Sequence, residues 1–354
     1  MNRFRLYLPL IIVAIFAGFR VYFNCFRNID ANCLEPRESF FSNEEKFPGK
    51  QLSKFRLRSI DLVRKYFPSP HSELLIGMVI GADELGKIPK FKEALKDTGT
   101  IHVVVVSGFN VSLISSLVMG VLGSKYKTRN LIISQFFTFL YSIMTGFEPP
   151  VIRAWIMGSM VSWVRFYGRS VDGFRALLFT AILMVLIWPY FLFSVSFQLS
   201  FLATLGLIIF GNSIVRSLEK ILGEGTFFSE DLGTTIAAQI FVLPVVSYYF
   251  GRISILSFAV NPVILWTVPV ATVLGTFFIF LALFSHPLAK ILSLFIYPFL
   301  DIFVTAINFF GSFNFASVPF DLGLIPLLLY YLFTILIIYF LNRGKSKPKK
   351  HENE

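Results

Sequence analysis

Residues 102–110 read HVVVVSGFN and lie within GTIHVVVVSGFNVSLISSLVMGVLG, residues 99–123. Four consecutive valines call for apolar surroundings, yet His102, Ser107 and Asn110 bracket them. On a helix turning about 100° per residue, Asn110 lies about 80° and Ser107 about 140° from His102. The spacing predicts one continuous helix with a polar stripe. Lipid cannot satisfy such groups, so the stripe faces the protein interior or a watery path. Hydrogen bonding between helices explains it equally well at this stage. A His102–Ser107 catalytic dyad is disfavoured, because a nucleophile and its base must reach hydrogen-bond distance. The GxSxG elbow is also missing, since Val105 stands two residues before Ser107.

The rest of the chain sets the surroundings of this stretch. Of 354 residues, 55% are hydrophobic and 15% charged, and mean hydropathy is +0.70. Soluble domains carry about 25% charged residues. The composition points to an all-α polytopic membrane protein. The net charge of +11 is first a topology signal, because Lys and Arg accumulate in cytoplasmic loops. It also fits an anionic substrate. His71, His102, His286 and His351 are scattered without metal-ligand spacing, and no CxxC occurs, so no metal or cofactor is expected.

Residues 1–26 carry Arg3 and Arg5 ahead of an apolar run and read as a retained membrane anchor with its N-terminus inside. Residues 27–73 read as a short extracytoplasmic region. Cys25 and Cys33 fall around its start, where a disulfide or two free thiols are both consistent with the sequence. Within this region KQLSKFRLRSIDLVRKYF (50–67) is amphipathic. It predicts a helix at the membrane surface, or one packed on the protein. LLIGMVIGA (74–82) is too short to span and suggests a re-entrant or interfacial piece.

Further apolar runs lie at about 100–123, 130–147, 149–165, 173–189, 190–211, 233–250, 255–284, 287–311 and 322–342, taking about 20 residues as a span. With the N-terminal anchor this makes about ten transmembrane helices. Lys125, Lys127, Arg129, Arg165, Arg169, Arg216, Lys220 and the basic tail (343–354) then all fall inside, as positive loops should. The run 255–284 contains Pro262 and Pro269. It is a tilted helix, a broken helix, or a span plus a re-entrant piece. Other polar residues punctuate the spans. Glu148 and Arg153 flank a double proline and could form an ion pair. Gln198 lies between Ser196 and Ser200. Gln239, Asn261, Asp301 and Asn308 continue the pattern, which favours a polar interior.

GTIHVVVVSGFNVSLI resembles the competence-domain motif of the ComEC family of DNA-uptake channels. LLIGMVIGADELGKIPKFKEALKDTG resembles the family's lead-in to that motif. PPVIRAWIMGSMVSWVRFYGR, WPYFLFSVSFQLSFLATLGLIIFG and FGRISILSFAVNPVILWTVPV resemble later segments, in family order, over about 74 to 270. The resemblance implies a transmembrane channel domain over 74–342 that passes single-stranded DNA inward through the cytoplasmic membrane; the positive-inside count places both termini in the cytoplasm. It implies no covalent chemistry. His102, Ser107, Asn110, Arg153, Gln198 and Asn261 become candidate lining residues. No P-loop is present, so the expected partners are a cytosolic ATP-driven motor, a DNA receptor, membrane lipid and a second copy of the chain.

Three departures from the family stand out. The region before His71 is too short for an OB-like domain. No HxHxDH cluster of a metallo-β-lactamase-like domain occurs, so nuclease activity is expected from another chain or not at all. Asn110 stands where the family usually has histidine, and asparagine cannot become cationic. A small-solute or ion channel and a non-transporting scaffold subunit are the competing readings.

Overall fold

The computed structural model describes residues 50–344, apart from 83, 105, 106, 124–126, 224–226, 255, 314 and 321. The anchor at 1–26, Cys25 and Cys33 therefore lie outside the described residues.

Helix α1 (Lys50–Tyr66) realises the amphipathic pattern. Its apolar side is buried by the protein: Ile60, Val63 and Phe67 join a core with Phe278, and the Phe67 and Phe278 rings meet edge-on at 5.3 Å. Of the two sequence expectations, packing on the protein describes this face. Helix α2 (His71–Ile80) is buried along its whole length. At about 15 Å it cannot span a bilayer. Gly81 ends it in the left-handed conformation, φ 71°, with its N–H returning to Gly77 and Ile76.

Helix α3 (Pro89–Asp97) starts at a proline, whose fixed φ suits a first turn. Then comes α4 (Ile101–Val104). Ser107 is extended, φ −105° and ψ 161°, and α5 (Gly108–Leu122) starts after it. The continuous helix expected across His102–Asn110 is therefore interrupted. Valine is stiff at χ1 and glycine is a poor helix former, whereas serine favours the extended position ahead of a helix.

Helices α6 (Lys127–Met144), α7 (Pro149–Phe166) and α8 (Gly173–Ile187) follow. Asp172 caps α8, accepting from the Phe174 and Arg175 N–H groups. Helix α9 (Val195–Gly206) continues through a π turn at Leu207–Gly211 into α10 (Asn212–Leu222). Arg216 and Lys220 thus lie on a helix, not in the loop expected beyond 211. Helix α11 (Phe227–Phe250) contains Pro244. Proline cannot donate to the carbonyl four residues back, and Tyr330 Oη supplies a donor to that Ile240 carbonyl at 2.8 Å.

The run 255–284 is a broken helix: α12 (Ser257–Ile264) and α13 (Thr267–Phe284). Helix α14 (His286–Gly311) and α15 (Leu324–Gly344) complete the order. Strands β1 (Arg252–Ser254) and β2 (Ser317–Pro319) pair antiparallel, with Ile253 opposite Val318.

Every apolar run from 100 onward contains helix. Among the described residues, four stretches are long and apolar enough to cross a membrane: Val195–Ile221, Ser229–Phe250, Thr267–Phe284 and His286–Gly311. His71–Ile80, Gly108–Leu122, Gly173–Ile187 and Leu324–Thr334 are shorter apolar helices. Basic residues dilute α6 and α7, and the interruption at Ser107 shortens α5.

The buried side chains form one large cluster from α1–α4 and α12–α14, and smaller ones from α5–α9. The strand pair is tied to the first. Arg252 Nη1 lies 2.9 Å from Asp97 Oδ1 and 3.1 Å from Glu93 Oε2, and Ser317 Oγ donates to Asp97 at 2.8 Å. Lys96 and then Arg252 hold the Glu93 carboxyl below its ordinary pKa. A lowered carboxylate pKa contributes stability above the unfolded-state value, and that contribution is lost as pH falls through the folded value. Arg252→Ala is expected to loosen the ribbon and speed protease cleavage between α14 and β2 at neutral pH. Acid should do the same to the parent protein. Equal cleavage rates for parent and variant would contradict the clamp.

Candidate functional site

The stretch from His102 to Asn110 joins the two packed regions. Val103 and Val104 belong to the large core, and Val111 to a small cluster with Tyr141 and Val151. Between them the chain is extended at Ser107. The N–H groups that open a helix lack a carbonyl four residues back; in α5 the Asn110 N–H donates instead to the Ser107 carbonyl at 3.2 Å. Ser107 makes no side-chain cap. A half-helix thus begins at a half-buried point, with its positive dipole end at the interruption.

Two side chains secure this point. Asn110, 2% exposed, donates from Nδ2 to the Met78 carbonyl at 3.2 Å. Met78 lies in the last turn of α2, where carbonyls lack helical donors. Asn110 therefore links the positive start of α5 to the negative end of α2. Its Oδ1 and the Tyr141 hydroxyl are both buried without hydrogen-bond partners among the described residues. Arg153 comes from the second turn of α7. Its Nε donates to Ser200 Oγ on α9 at 2.7 Å. Its Nη2 lies 2.9 Å from where a Cβ on Gly108 would sit, with Ala154 Cβ at 3.0 Å and the Pro150 carbonyl at 3.3 Å. Gly108 thus lets the guanidinium lie against the start of α5. Two positive groups meet at one half-buried point, which favours a negatively charged visitor.

The other expected residues are placed differently. His102 falls in α4; its side chain lies outside the described residues. Ser107 is at the interruption. Gln198 Nε2 donates to the Leu192 carbonyl at 3.1 Å, bracing the turn before α9. Asn261, 3% exposed, is buried in α12, beside Val260 and Ile264 of the large core. Glu148 precedes the first turn of α7 and is not without an interaction; Arg153 donates from Nε to Ser200. Gly108, Met78 and Tyr141 escaped the sequence reading. Only Gly108 carried a local signal, as a helix-disfavouring residue after a capping serine.

A family model described as "Competence protein" matches residues 79–344. The chain belongs to that family. The match includes the interrupted α4–α5 segment, Arg153 and α9–α15. "ComE operon protein 3" of Bacillus subtilis (strain 168) is 28% identical over 239 residues, 65% of this chain and 28% of that protein. An "Uncharacterized protein" of Aquifex aeolicus (strain VF5) is 30% identical over 202 residues, 55% of this chain and 44% of its own length. "Uncharacterized protein YcaI" of Escherichia coli (strain K12) is 23% identical over 239 residues, 62% of this chain and 30% of its own. The matched stretches thus span less than half of each relative. No solved structure matches.

Proposed function

We propose that this competence-family protein is a component of a channel that carries single-stranded DNA across the cytoplasmic membrane during transformation. The observation that carries the reading is the half-buried interruption at Ser107, where Arg153 lies against the start of α5. A strand crossing lipid depth needs a polar, partly basic path. In this reading the first turn of α5 and Arg153 attract backbone phosphate, while Asn110 holds α2 and α5 in register beside the path. His102, Ser107, Gln198 and Asn261 are further positions along it. No covalent step is required. Energy comes from a cytosolic ATP-driven motor, and a DNA receptor delivers the strand. The chain crosses the membrane about ten times with both termini in the cytoplasm, placing its basic loops inside.

The test is transformation of the native host with this gene deleted and then restored, using DNA labelled in one strand. Import of label is expected to require the gene. Restoration with Asn110→Ala is expected to leave the protein in the membrane and lower import. Import that persists without the gene would overturn the DNA reading.

A further inference from the structure

Helix α14 is one of the four stretches able to cross a membrane, and its surface is not uniform. Taking Tyr297 as zero and about 100° per residue, Asp301, Thr305 and Asn308 fall at about 40°, 80° and 20°. Lys290 also falls at about 20°, and Leu294, at about 60°, is the apolar member of the row. All of these except Asp301 are exposed, and the Asp301 side chain retains 51% of its accessibility. Ile296, Leu300, Phe303 and Ile307 form the buried side, centred near 270°. The exposed apolar residues Ile291, Phe295, Ile302 and Phe309 lie between about 120° and 160°. The polar row thus occupies one flank, between the protein side and a lipid side.

A second observation marks this flank. His71, 7% exposed, places Nε2 3.1 Å from Asp301 Oδ1 and stacks on Tyr297 with centroids 4.8 Å apart. Its Nδ1 is buried without a hydrogen-bond partner among the described residues. Asp301 lies ten residues before the end of α14, about 15 Å into it. An acid at that depth cannot face hydrocarbon, and one imidazole on its protein side leaves the rest of the carboxylate unserved.

We propose that the Tyr297–Asp301–Thr305–Asn308 flank of α14 lines a water-filled crevice open to small hydrophilic solutes and ions, with the His71–Asp301 pair on its wall. The crevice lies on the large core, apart from the Ser107 interruption, and does not require that the cargo be DNA.

Cysteine labelling tests this in membranes. Cys25 and Cys33 are first replaced by serine. Thr305→Cys and Asn308→Cys are compared with Phe295→Cys and Phe309→Cys, using a charged, membrane-impermeant thiol reagent. The reactive thiolate forms in water and is suppressed in apolar surroundings. Both stripe positions are expected to label at least about tenfold faster than the two controls, the ratio expected if the control thiols ionise about one pKa unit less readily. Labelling no faster than the controls overturns the proposal, as does a disulfide joining two copies through Asn308→Cys without labelling. Rapid stripe labelling together with DNA import that persists when the gene is deleted would count against the transformation reading alone.

Discussion

Arg153→Ala is expected to lower strand import by at least about tenfold, equivalent to about 1.4 kcal/mol in a rate, with the protein still present in the membrane. The guanidinium does two things that no other described side chain does together. Its Nε binds Ser200 and so ties α7 to α9. Its Nη2 reaches the start of α5 beside Gly108. A hydrogen bond to a charged group contributes about 1.5–3 kcal/mol, so some loss of abundance is expected. Arg153→Lys separates the two roles. Lysine keeps the charge but lacks the rigid fork, and one ammonium cannot serve both contacts in the same way. Import by the lysine variant should therefore lie between the parent and alanine values, normalised to membrane abundance by immunoblot. Equal normalised import for all three would remove Arg153 from the path and leave it a structural brace.

The sequence made the outline of the protein readable where a periodic signal was long. The amphipathic run at 50–67 became α1, ending within one residue of the expected boundary. Pro262 and Pro269 marked the run 255–284 as irregular and left a tilted helix, a broken helix or a re-entrant piece open; it is the broken pair α12 and α13. The opening stretch misled for a physical reason. A helical wheel assumes the helix it is meant to test, and the polar spacing from His102 to Asn110 looked coherent on it. The residues themselves argued otherwise, because Ser-Gly after β-branched valines favours an extended residue and a fresh helix start. Contacts at long separation carried no such clue. Arg153 and Ser200 are 47 residues apart, and His71 and Asp301 are 230 apart. Each residue was visible as a polar group in an apolar segment, but a single sequence does not say which of them meet.

Gly206→Val is expected to cause the largest loss of folded protein. Helices α9 and α11 cross with their backbones in close approach, and a Cβ at residue 206 would collide with the Ala237 carbonyl oxygen and crowd the Phe241 ring at 3.1 Å. The obstacle is backbone within a 24-residue helix, so it cannot swing aside as a flexible side chain would. Overpacking a core typically costs about 1–3 kcal/mol, and a rigid backbone contact belongs at or above the top of that range. Valine adds β-branching, which raises the cost in a helix. Gly211 offers the matched control, because it lies in the same continuous helix and a Cβ there meets nothing within 4 Å. Gly206→Val should lower the yield of monodisperse detergent-solubilised protein and its midpoint of thermal unfolding well below those of Gly211→Val. Similar yields and midpoints for the two variants would mean that α9 and α11 do not approach through Gly206. The start of α5 would then lose one of its supports, since Arg153 is positioned through Ser200 on this same helix α9.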